Sequence, residues 1–205
     1  MFSLPNEVYM IVKDAWPMLL IFIVVLSTIR INYILEKGEK FILYREFFSL
    51  AFVIYILLLF GLVTNTDVQS YGHNFIPFRE IMRYKIGSKY FYWNVIGNIM
   101  IFVPFGFFIS SYLNSQKMNR PLLITLITSL TIELVQMFID RSFDVDDILL
   151  NCTGGLIGFL LFIGLSAIKR HLPKFLQRDL VYNILTGILI VIIIIYIFRF
   201  WGIKI

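Results

Sequence analysis

Six long apolar runs constrain this chain more than any other feature it carries. They lie at 15–35, 47–63, 94–113, 122–139, 148–168 and 181–200. A helix that crosses the hydrocarbon core of a bilayer needs about 20 mostly apolar residues. Backbone amides in lipid must find partners within their own segment, so such runs predict helices. The expected fold class is therefore all-α: a polytopic transmembrane helix bundle of about six spans.

Composition supports this and excludes other classes. The chain is 59% hydrophobic and 15% charged, whereas a soluble domain carries about a quarter charged residues. Its net charge of +5 is spread over short connections. No basic stripe with interleaved aromatics marks a polar domain, so nucleic acid is not an expected partner. Membrane lipids are, because the basic connections would meet anionic headgroups. One cysteine, Cys152, allows neither an intramolecular disulfide nor a CxxC site and reads as a packing residue. The opening MFSLPNEVYMIVKDAW lacks a basic start, and the apolar run after it is too long for a cleaved signal, so that run is expected to remain as a span.

Three regions follow. Residues 1–63 form an N-terminal two-span region. Residues 64–168 form a core of one long loop plus three spans. Residues 169–205 form a C-terminal anchor span, whose VIIIIYIF stretch is lipid-facing in character. The longest and least apolar connection is 64–93; those at 114–121 and 140–147 are short enough to make antiparallel neighbours. With both termini outside, ten Lys and Arg residues fall in inner connections and eight outside. The positive-inside rule favours that orientation in a multi-pass cell-membrane protein. Trp16, Trp93 and Trp201 would then all lie at the outer interface.

The stretch SLTIELVQMFIDRSFDVDDILLNCTGG, 129–155, concentrates acids in an otherwise apolar chain. Glu133, Gln136 and Asp140 are spaced to share one helix face. Asp144 is placed to cap the next helix, with Asp146 and Asp147 in its first turn, where the dipole favours negative charge. Asn151 follows one turn below Asp147. Asp144 and Asp146 suit a cap, and Asp140 and Arg141 suit ordinary loop charges. Glu133 lies about two turns inside its apolar run, where an ionisable residue marks a site or is held by a partner such as Asn98. In NVIGNIMIFVPFGFF, Asn94 and Asn98 stand one turn apart and need partners. Pro104 removes an amide donor and favours a bend near Met100. Gly154 and Gly158 form a GxxxG pair suited to close helix contact. In HNFIPFRE, Arg79 is placed to reach over the acids, and His73 reads as a loop residue.

NFIPF, NVIGNIMIFVPFGF, SLTIELVQ and DVDDILLNCTGGLIG, in this order and spacing, make the chain resemble the VanZ-like integral membrane proteins, named for a member associated with teicoplanin resistance. The resemblance covers 74–158. Matching motif positions bring over Asn98, Pro104, Phe105, Gly106, Glu133, Gln136, Asp144, Asp147, Asn151, Gly154 and Gly155 as characteristic residues, without chemical roles.

The resemblance implies a cell-envelope or lipoglycopeptide (teicoplanin-type) resistance function. The expected site is an outward-facing polar cleft of Arg79, Asn94, Asn98, Glu133, Gln136, Asp144, Asp147 and Asn151. Its partner would be a lipid-linked cell-wall precursor or the lipoglycopeptide itself. A second reading is an enzyme acting on a lipid or isoprenoid-linked phosphate. Glu133 would then be the candidate catalytic base, and Asp144 and Asp147 the candidate ligands for Mg²⁺. No cofactor is otherwise expected, and the chain has no GxSxG and no histidine-containing phosphatase signature. A third reading is a small transporter or envelope-complex subunit, with acid and amides serving a proton-coupled step.

Overall fold

The computed structural model describes residues 6–64 and 72–200. Among these residues eight α-helices follow in order: α1 (Asn6–Lys37), α2 (Leu43–Thr64), α3 (Arg79–Arg83), α4 (Lys89–Phe91), α5 (Gly97–Leu113), α6 (Asn119–Phe138), α7 (Val145–His171) and α8 (Asp179–Phe200). A π-helical turn at Tyr92–Ile96 joins α4 to α5, so Lys89–Leu113 runs as one span. Among the described residues, six helices are long and apolar enough to cross a membrane: Lys13–Lys37, Leu43–Leu62, Lys89–Leu113, Asn119–Phe138, Val145–His171 and Asp179–Arg199. The chain is an all-α, multi-pass membrane protein. Most of the helices outrun their apolar runs at one end or both, because polar residues cap and extend them. Trp201 lies outside the described residues, as does the start of the long loop.

The chain divides into two compact units. The first is Met1–Leu58 with Lys169–Ile205, and the second is Leu59–Ile168. Within the first, Arg30 of α1 makes a two-pronged ion pair with Glu46 of α2, at 2.9 and 3.2 Å. The start of α2 meets the start of α8. There the Tyr44 backbone N–H donates to Asn183 Oδ1 at 3.1 Å, and the Tyr44 hydroxyl donates to Asp179 Oδ1 at 3.2 Å.

Within the second unit, α5 and α7 touch backbone to backbone. A Cβ on Gly106 would collide with the Gly155 carbonyl, and one on Gly158 with the Val103 carbonyl. Gly154 faces the Ile99 carbonyl in the same way. Small residues let helices in lipid approach this closely and gain dispersion contacts. Gly155 also receives Thr125 of α6, whose methyl would lie 2.6 Å from an added Cβ. Thus α7 is clamped between α5 and α6, as the GxxxG reading anticipates. Around the contact are Phe102, Phe105, Ile148, Leu150, Phe159 and Phe162, all buried. Buried hydroxyls in this core bond back along their own helices: Ser110 donates to the Gly106 carbonyl and Thr125 to that of Pro121 at 2.9 Å. Pro104 lies inside α5 without ending it.

Candidate polar site at the α6–α7 turn

The turn between α6 and α7 gathers the acids, and the loop before α4 is laced onto it. Asn74 N–H donates to the Phe143 carbonyl at 2.8 Å, and Val145 N–H to the Asn74 carbonyl at 3.0 Å. Asn74 and Asp144 thereby form a one-residue parallel β-bridge. The Asn74 side chain, 5% exposed, donates to Asp144 Oδ1 at 2.8 Å. His73 Nδ1 accepts from Phe143 N–H at 3.1 Å. The Phe75 and Phe143 rings stack with centroids 5.2 Å apart.

Each acid then has a distinct role. Asp144 is the N-cap of α7: its Oδ1 accepts from Asp146 N–H at 2.9 Å. Burial pushes the Asp144 carboxyl above its ordinary range, against the lowering effect of these bonds. Asp146 is 1% exposed and points away from its own helix start. Its carboxylate accepts from the backbone N–H groups of Phe78, Glu80 (2.7 Å) and Ile81 (3.2 Å), capping α3. The expectation that Asp146 merely caps and solubilises α7 is therefore corrected. It is a buried tether for the loop, and its three amide partners explain how an acid sits there. Phe78 holds a left-handed φ of 67°, unusual for a bulky side chain. That backbone aims the Phe78 and Glu80 amides at Asp146.

Glu133 is 1% exposed. Its Oε2 accepts from Asp144 N–H at 2.8 Å. With the Gln136 amide oriented to satisfy both neighbours, Gln136 donates to Glu133 Oε1 at 3.1 Å and accepts from Arg141 Nη1 at 3.2 Å. The expected Glu133–Asn98 contact is replaced: Asn98 donates instead to Asp147 Oδ1 at 2.5 Å, joining α5 to α7. One turn further into the core, Asn151 Nδ2 donates to Ser129 Oγ at 2.9 Å, joining α7 to α6. Both contacts are interhelical bonds of the kind that hold spans together.

The structure thus brings Asn98, Glu133, Gln136, Asp144, Asp147 and Asn151 to one place. It leaves three residues out. Asp140 lies beyond the end of α6 in a left-handed conformation (φ 60°) and is exposed, so it does not share the Glu133 face. A helix that stops at Phe138 cannot carry the i+7 position. Asn94 is exposed and its amide donates to the Tyr90 carbonyl of its own turn. Arg79 is exposed at the start of α3. Sequence reasoning missed Asn74, Ser129, Asp146 and Arg141 as members. A signal existed for three of them, since Asn74 lies in NFIPF, Ser129 in SLTIELVQ and Asp146 in DVDDILLNCTGGLIG.

Among the described residues no three His, Cys, Asp or Glu side chains converge to hold a metal ion. Asp144 Oδ1 is already occupied by two protein donors.

The fold and site define a multi-pass helical membrane protein whose three central spans enclose an acid–amide cluster under a tethered loop. Residues 47–169, more than half of the chain, match the VanZ/LLP1 family, and the chain belongs to that family. It is 24% identical to Protein VanZ of Enterococcus faecium over 148 residues, covering 71% of this chain and 83% of that protein. No solved structure matches.

Proposed function

We propose that this chain is a cell-envelope protection protein that lowers sensitivity to teicoplanin-type lipoglycopeptides. It does so through a polar cleft open to the outer leaflet. The family and the relative in Enterococcus faecium support the class. The observations that carry the site are the buried Glu133 carboxyl, which accepts from Asp144 N–H and from Gln136, and the Asn98–Asp147 pair of the same three-span core. Ionisable groups at membrane depth are costly and are retained where they act. Asp147 and Asn98, both partly exposed, are placed to meet an amine- and amide-bearing headgroup of a lipid-linked wall precursor or of the drug. Arg79 and Asn94 would form the exposed rim.

The test is lipoglycopeptide sensitivity of a susceptible Gram-positive host expressing wild type, Glu133→Gln or Asp147→Asn at matched membrane levels. Protection by wild type and its loss in both variants is the expected result. Equal protection by the variants would make the acids structural. A cysteine placed at Ser88 should react with an impermeant reagent added outside intact cells. Reaction only after permeabilisation would overturn the outward-facing cleft.

A further inference from the structure

The first compact unit carries a feature that the family site does not use. The facing starts of α2 and α8 leave a groove of about 270 Å³ lined by Tyr44, Phe47, Phe48, Tyr182, Leu185 and Leu189, with Thr186. This is just under the ~300–1,000 Å³ of pockets that enclose a whole drug-sized molecule, so it suits one chain of an amphiphile.

Its rim is polar and built. The Tyr44 and Tyr182 rings pack with centroids 5.4 Å apart. Each carries a cation on its face: the Arg45 guanidinium lies 5.6 Å from the Tyr44 centroid, and Lys169 Nζ lies 4.8 Å from that of Tyr182. Arg45 Nε donates to the Tyr44 hydroxyl at 3.1 Å, and that hydroxyl donates to Asp179 at 3.2 Å. These bonds fix the arginine beside the groove, and Asp179 offsets part of its charge. Among the described residues, Tyr182 alone keeps a buried side-chain oxygen with no hydrogen-bond partner. A buried hydroxyl without a partner costs free energy, and a missing ligand acceptor is a physical reason for one.

We propose that this groove binds an anionic phospholipid. One acyl chain lies along Phe47, Leu185 and Leu189. The phosphate sits against Arg45 and Lys169, and a headgroup or ester oxygen accepts from the Tyr182 hydroxyl. Charge complementarity selects the occupant. Two exposed cations flank an apolar slot at helix ends, and basic pockets between spans recognise anionic headgroups. A zwitterionic lipid would fill the slot equally well but bring an ammonium to the cations. The proposal is independent of the acid cluster and of which face points outward.

The test is native mass spectrometry of the full chain, purified in detergent and offered equal amounts of phosphatidylglycerol and phosphatidylcholine. Wild type is expected to retain phosphatidylglycerol by about ten-fold over phosphatidylcholine. Arg45→Gln with Lys169→Gln should bring the preference to near equality. Thr186→Trp, which fills the slot, should lower retention of both lipids. Lys117→Gln with Arg120→Gln, removing two cations elsewhere, should leave the preference unchanged. Circular dichroism and a monodisperse elution profile certify each variant as folded, and Tyr182→Phe stands in if the double variant fails, with reduced retention expected. Absence of a preference in wild type overturns the proposal. So does a preference that survives loss of Arg45 and Lys169, or one that falls equally with Lys117 and Arg120.

Discussion

Asp146 and Glu80, 66 positions apart, are joined by a 2.7 Å bond from the Glu80 backbone N–H to Asp146 Oδ2. The same carboxylate also takes the amides of Phe78 and Ile81. One buried acid at the start of α7 therefore holds the loop that covers the α6–α7 turn. Replacing it with alanine leaves three amides without an acceptor, at a cost of about 3 kcal/mol. Asp146→Ala should accelerate hydrogen exchange at Phe78, Glu80 and Ile81 well beyond the change at α5 amides. Equal exchange in both proteins would show that other contacts dock the loop.

Asn98 and Asp147 make the bond between α5 and α7 directional, with amide donating to carboxylate. Asn98→Asp sets two carboxylates against each other and should lower stability by about 1–3 kcal/mol. Adding Asp147→Asn restores an acid–amide pair in reverse and should recover most of the loss. Thermal unfolding of the four proteins in one detergent gives the coupling energy. Additive losses would mean that the two side chains act separately.

Glycines of α7 should divide by what a methyl group would meet. Gly155→Ala presses on Thr125, and Gly158→Ala presses on the Val103 carbonyl of α5, so each should cost about 1–3 kcal/mol or more. Gly164, in the same helix, has nothing within 4 Å of an added Cβ. Gly164→Ala should be neutral or stabilise by up to about 1 kcal/mol, because alanine is the better helix former. Melting temperatures in detergent distinguish the two behaviours.

Asp144 gives stability a defined pH dependence. Burial raises its carboxyl in the folded state, so folding favours the protonated form. Its contribution is fully present below the unfolded pKa, about 3.9. It is lost as pH rises through the higher folded value. The stability of wild type minus that of Asp144→Asn should therefore decrease as pH rises from about 4. A difference that grows with pH would reverse the assignment and make the ionised carboxylate the stabilised form.

Much of this was legible in the chain itself. Six apolar runs predict six spans because a bilayer leaves the backbone no partner outside its own helix. Glu133 stands out because a carboxyl at that depth is costly, and the Asp144 cap follows from spacing alone. The membrane class and the VanZ-like core come from sequence for these reasons. Pairing does not. Whether Asn98 meets Glu133 or Asp147 depends on how α5 sits against α7, which the glycine contacts decide at Gly106, Gly154 and Gly158. Asp146 looks like a first-turn acid until the loop folds back and offers it three amides. Asp140 keeps helical spacing on paper but lies past the point where α6 stops. Local periodicity acts over a few residues and is written in the sequence. The partners of a buried polar group come from distant segments, and only the tertiary fold chooses among them.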